Sequence, residues 1–223
     1  MLPNPQIGDV ILLGKQYSVK HLFSKKALKY AYEQAILFYQ RDRFGDVRYV
    51  DTTHTLIYCG GDLFFEVTDP KAKLTGLVNL ENHIADTDRA VYVLRYNRYA
   101  FGQTDSVALN EIITPMIGKP YAYLDILPFI LEKVIGFLPN AYKLVTDLFG
   151  GSWKKYMFKL IAGTNNVFLC STGVAAIYVA MHKRNDAFPR PFAFSNDVDN
   201  EYVEQVTPAH FGCWPGDFSE ITS

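Results

Sequence analysis

Cysteine is scarce in this chain of 223 residues: three occur, at positions 59, 170 and 213. An odd number cannot form a closed set of disulfides, so the count excludes a disulfide-stapled scaffold and suits a reducing compartment with a working thiol. There is no C-x-x-C, no H-E-x-x-H and no close histidine pair, which disfavours a zinc centre. A Gly-rich phosphate loop and a G-x-S-x-G elbow are absent too. No metal and no cofactor is therefore expected. The 22 basic and 23 acidic residues leave a formal net charge of −1. That removes any overall electrostatic case for nucleic acid or for an anionic membrane. No run reaches the roughly 20 uninterrupted apolar residues of a membrane span. The start, MLPNPQIGDV, has no basic region followed by an apolar stretch. Without that signal-peptide pattern the expectation is a cytoplasmic protein, or one exported by a route the sequence does not show.

Apolar residues make up 49% and aromatics 15% of the chain, which excludes disorder and allows a core needing no staple. The expectation is a single domain over residues 1–223, of α+β class. Its centre is THTLIYCGGDLFFEVTDP, from position 53. Residues 53–58 and 63–68 are rich in β-branched and aromatic side chains, and Gly60-Gly61-Asp62 can supply positive φ angles, so a β-hairpin is predicted. With Cys59-Gly60-Gly61 as a three-residue loop, Tyr58 pairs with Asp62 and His54 stands directly opposite Glu66. A loop one residue shorter or longer puts the two on opposite faces. Glu66 itself asks for a partner, since FFEV places a carboxylate in an otherwise apolar strand.

A nucleophile for that imidazole is offered by NNVFLCSTGVAAIYVAMHKRN. Residues 171–184 are apolar until Lys183 and Arg184, where cations suit a helix C-terminus, and Asn185 can close the end. Cys170 thus begins a buried helix, where the dipole and free N–H groups favour the thiolate. Cys170, His54 and Glu66 make a nucleophile, a base and an orienting carboxylate. Cys59 and Cys213 begin no helix, and His21, His83, His182 and His210 are scattered.

The order GDV (8–10), HTLIYCGG, FFEVTDP, GKPYAYLD (118–125) and FLCSTG resembles the permuted papain-like amidases of the NlpC-like superfamily, most closely the YiiX-like group. The lecithin:retinol acyltransferase group shares the permutation. The resemblance implies a small antiparallel sheet packed on the cysteine helix. It also implies catalytic roles for Cys170, His54 and Glu66, no metal or cofactor, and a peptide or amide substrate such as a cell-wall peptide. Tyr121 matches the tyrosine of the family's Gly-x-x-Tyr stretch and is implied in substrate binding. The function expected is a cysteine peptidase or amidase. A lipid-handling thiol acyltransferase and a non-catalytic binding module on the same fold are the alternatives.

Elsewhere, residues 7–13 read as a strand beside the hairpin and 20–40 as a helix with a basic side, which suits either solvent or a membrane surface. Residues 41–51 read as a linker and 69–88 as a polar loop, followed by a strand over 90–96. Asp105 can cap a helix starting at Ser106 and ended near Pro115. Residues 125–163 hold short apolar runs broken by Pro128, Gly136, Pro139 and Gly150-Gly151. They read as an insertion of two or three short helices, either a lid or hydrophobic binding surface bordering the groove or a helical pair closing over the core. Residues 187–196 carry Pro189 and Pro191 and are no central strand. Residues 203–206 are expected to pair at a sheet edge, and 207–223 to be ordered by Phe211 and Trp214.

Overall fold

The computed structural model describes residues 2–16, 27–87, 89–121, 170–189, 206–213 and 216–221. Six strands, β1 (Val10–Gly14), β2 (Thr52–Gly60), β3 (Leu63–Val67), β4 (Ala72–Gly76), β5 (Val91–Tyr96) and β6 (Phe218–Glu220), form one antiparallel sheet in the order β4-β3-β2-β1-β5-β6. The helices are α1 (Ala27–Phe44), α2 (Leu77–Thr87), α3 (Gln103–Ile113), α4 (Cys170–Arg184) and α5 (Pro208–Cys213). The architecture is α+β.

Central strand β1 is buried along its whole length, VILLG, because both faces of the sheet are covered. Val10 and Leu12 join Ile57, Phe65 and Leu94 in a core completed by Leu109 and Ile113 of α3 and Val174, Ile177 and Tyr178 of α4. Ile11 and Leu13 turn the other way, with Leu56, Phe64 and Val93, onto Leu80 of α2. The cysteine helix begins and ends where the sequence places it. Its basic last turn carries His182, Lys183 and Arg184.

The hairpin forms, with positive φ at Gly60, Gly61 and Asp62, but in a different register. The turn is the two-residue Gly61-Asp62, closed by Gly60 and Leu63, and Tyr58 pairs with Phe64 rather than Asp62. A two-residue turn alone would put His54 and Glu66 on opposite faces. The extra residue Cys59 forms a bulge that restores the parity, so Glu66 stands opposite Leu56, two positions from His54 on the same face.

Several other expectations are corrected. Residues 69–88 contain β4 and all of α2, because Leu77, Leu80 and Ile84 give amphipathic spacing inside a polar-looking stretch. The helix at α1 runs on to Phe44 through the supposed linker. Asp105 is the third residue of α3, not its cap. Its carboxylate accepts the Gly102 N–H at 2.7 Å from inside the helix. Val206, the one residue of 203–206 that is described, lies buried outside any strand, and β6 pairs with β5 at the edge of the sheet. Phe211 is fully buried, as expected of the tail. Residues 125–163, 203–205 and Trp214 lie outside the described residues, as do residues 20–26 of the predicted basic helix.

The turn before β1 is held by Gly8, at φ +85°. A Cβ there would meet Cε2 of Phe101 at 2.3 Å. Asp9 beside it is buried and takes both Nε and Nη2 of Arg95, at 3.0 and 2.8 Å. Gly8→Ala is expected to cost at least about 1–3 kcal/mol, from backbone strain and the clash together. Denaturant unfolding would show it as a lowered midpoint, and an unchanged midpoint would contradict the assigned turn.

Candidate functional site

The site is assembled on the first half of β2. The His54 Nε2 lies 2.8 Å from Oε2 of Glu66, a diagonal contact of the kind long side chains make across neighbouring strands. Glu66 is 8% exposed. Its other oxygen, Oε1, accepts the Thr75 hydroxyl and lies 3.2 Å from Nζ of Lys73, both from β4. The carboxylate in the apolar FFEV strand therefore has partners on both oxygens, which offsets its desolvation.

Cys170 comes from the opposite side in sequence and meets β2 where that strand runs past its paired stretch of β3. The thiol donates to the backbone oxygen of Thr53 at 3.8 Å. The N–H groups of Thr55 and Ser171 point at the sulfur, and the imidazole of His54 hydrogen-bonds with it. Since Nε2 is engaged by Glu66, Nδ1 is the nitrogen left for the thiol.

The electrostatics follow from this series. Burial alone would raise the Cys170 pKa, but the hydrogen bond and positive charge of His54, with the two N–H groups, bring it below the ordinary thiol value. Burial likewise works against charge on His54. Its partners Cys170 and Glu66 outweigh that and lift the pKa to about 9. For Glu66, burial pushes the pKa up, while His54, Thr75 and Lys73 bring it down to about 2. Near neutral pH this puts an imidazolium beside a carboxylate, and the positive charge on His54 favours ionisation of Cys170.

Two cavities meet at the imidazole. One, of about 100 Å³, is lined by Lys29, Tyr32, Glu33, Thr53, Asp69 and Tyr121 beside His54. The other, of about 400 Å³, shares Gln16, His54 and Thr68 with the first and adds Glu66, Lys73, Thr75, Asn79 and His83. Tyr121 thus reaches the same cavity as His54, and its hydroxyl meets that of Tyr32. The thiol itself opens onto neither of the two cavities. Cys170 is 1% exposed and lines neither cavity, because the first turn of α4 is pressed against the strand end. His54 and Glu66 are the members that reach open space, with 14% and 11% of their side chains exposed.

Cys59, Cys213, His182 and His210 stay apart from this cluster. Burial raises Cys59 to about 12 and Cys213 to about 11, so both are ordinary protonated thiols. His182 donates from Nδ1 to the carbonyl of Phe188 at 2.7 Å. His210 is fully buried and accepts the Thr207 N–H on Nδ1. Among the described residues, no group of three or more metal-binding side chains converges, and no helix is long and apolar enough to cross a membrane. No family model, no curated protein and no solved structure matches the chain.

Sequence reasoning missed the partners that hold these groups. Thr75 and Lys73 lay in a stretch read as loop. Glu33 belongs to a helix singled out only for its basic side, yet it is 6% exposed and turned inward. A lone acid on an apolar helix face was the signal.

The paired charges make stability depend on pH with a definite sign. The raised pKa of His54 gives a contribution fully present below 6.5 and lost as pH climbs through about 9. The lowered pKa of Glu66 gives one present above 4.5 and lost as pH falls toward about 2. Both are complete between 4.5 and 6.5. Glu66→Gln should move the His54 titration, followed by imidazole NMR, down from about 9. A His54 signal that titrates near 6.5 in the unmodified protein would contradict the arrangement.

Proposed function

We propose that the chain is a thiol hydrolase that cleaves an amide bond, a cysteine peptidase or amidase on a permuted papain-like fold. The hydrogen-bonded series Cys170–His54–Glu66 carries this reading. In a Cys–His nucleophile pair the base must touch the thiol and a third group must orient the base. The strand-borne histidine preceding the cysteine helix, and the packing of that helix on the sheet, fit the permuted arrangement.

In this mechanism the Cys170 thiolate attacks the substrate carbonyl, and the N–H groups of the first turn of α4 stabilise the developing oxyanion, a contribution of about 3 kcal/mol for one good donor. Collapse breaks the C–N bond, and the imidazolium gives its proton to the departing amine. A thioester remains on Cys170. His54, now neutral, takes a proton from water, which attacks the thioester and releases the acid. The sulfur departs as thiolate, with His54 again charged beside it. Glu66 holds the ring tautomer throughout and stabilises its charged form.

A polar substrate is favoured over a fatty acyl chain by the lining of the two cavities. Lys29, Arg89, Lys73 and the His54 imidazolium share these walls with Glu33, Asp69 and Glu66, so charges of both signs are present. Such walls suit peptide-like amides, including those of cell-wall peptides, and would desolvate poorly against a hydrocarbon. Tyr121 takes a substrate-contacting role in the same cavity.

Turnover on a panel of peptide amides, read by mass spectrometry, tests the proposal. Cys170→Ala should abolish hydrolysis, Glu66→Gln should lower it less than His54→Ala, and Cys59→Ala and Cys213→Ala should retain it. Gln can still orient the ring but cannot neutralise its charge, which sets the order of the two middle variants. Full turnover by Cys170→Ala on a substrate cleaved by the unmodified protein would sink the mechanism.

A further inference from the structure

The pairing of β1 with β2 contains a second bulge. Leu13 pairs with His54 and Gly14 with Thr52, so Thr53 is an extra residue with no partner in β1. Bulges re-aim groups next to functional sites, and they need something to hold them. Here the Thr53 hydroxyl is held by two buried charges. It donates to Oε1 of Glu33 at 3.0 Å and accepts from Nη2 of Arg89 at 3.3 Å. Those same side chains grip the end of β1. Glu33 accepts the Gln16 N–H on both oxygens, at 3.0 and 3.1 Å, and Nε of Arg89 donates to the Gly14 oxygen at 2.7 Å. Glu33 is 6% exposed, Arg89 8% and Thr53 5%. Burying two ionised groups around one hydroxyl is costly, and a well-packed apolar cluster would serve stability as well.

The position of that hydroxyl gives it a use. The Thr53 backbone oxygen receives the Cys170 thiol, and the next residue is His54. We infer that Glu33, Thr53 and Arg89 are positioning residues for the proposed reaction, holding the β2 bulge in the one conformation that sets His54 against Cys170. The inference rests on the thiol–imidazole reading above. It assigns a role to Glu33, a residue of α1 distant in sequence from the reacting groups, and it ties α1 to the reactivity of the thiol.

The test is the pH dependence of Cys170 alkylation by iodoacetamide, followed by mass spectrometry of the Cys170 peptide. Glu66 of β3, Lys73 of β4, His83 of α2, Lys29 and Glu33 of α1, Asp69 and Arg89 surround the pair. Thr53→Val changes none of these charges, so a moved profile reports position rather than charge. Thr53→Val should slow alkylation at neutral pH by roughly tenfold to 100-fold, the usual penalty for small misplacement, and move its acid limb upward. Thr53→Ser, which keeps the hydroxyl, should restore the unmodified profile. Glu33→Gln should move the limb the same way by less, and it serves if Thr53→Val does not fold.

A folded Thr53→Val protein, or a folded Glu33→Gln protein where valine is not tolerated, with the unmodified profile overturns the inference while leaving the thiol–imidazole pair intact. Failure of Thr53→Ser to restore the profile also counts against it. If the unmodified Cys170 itself titrates near the free value of about 8.5, the pair fails and the positioning role falls with it.

Discussion

The imidazole of His54, held between a carboxylate and a thiol, is the interaction on which the rest of the arrangement depends. Taken singly, each of the three groups is badly placed. Glu66 is a carboxylate in an apolar strand, Cys170 is a thiol with almost no exposure, and His54 is a base that burial would keep neutral. Together they compensate one another, because each charge is stabilised by the next and the outer two are closed off by backbone N–H groups, Thr75 and Lys73. Removing any one member strands the others in a medium where unpaired charge is expensive.

Strand β2 makes this possible by departing from regular pairing twice. The bulge at Cys59 restores the face on which His54 and Glu66 meet, and the bulge at Thr53 accompanies the contact with α4. Between them a short regular stretch keeps Leu56 and Ile57 locked into the two cores. Rigid packing on both sides of the sheet is what allows two irregular strand segments to keep a fixed shape. Three of the helices also have separate tasks. Helix α2 covers one face, α4 covers the other while delivering the thiol, and α1 supplies Glu33 and the buried Gln40, whose amide joins Val50 and Thr52 to α5.

Short-range chemistry was readable from residues alone. Gly60-Gly61-Asp62 between two β-branched runs means a reversal, a basic last turn before Asn185 means a helix end, and a cysteine opening an apolar helix means a thiol near a dipole. Such features depend on a few neighbouring residues, so the sequence determined the hairpin, the cysteine helix, the α+β class and the three groups worth bringing together.

Register, burial and long-range partners could not be read that way. The loop length that pairs His54 directly with Glu66 is as reasonable locally as the shorter turn with a bulge. Both forms leave Leu56 and Ile57 on opposite faces, and the one adopted sets Tyr58 against Phe64, ring centroids 4.9 Å apart, beside the core that faces α2. Thr75 and Lys73 became partners of Glu66 only because β4 pairs with β3, and Glu33 came to β2 only because α1 packs there. These contacts join residues far apart in the chain, and their free energy exists only once the whole sheet is formed. For that reason the tertiary structure alone decided how the carboxylate, the imidazole and the thiol are held.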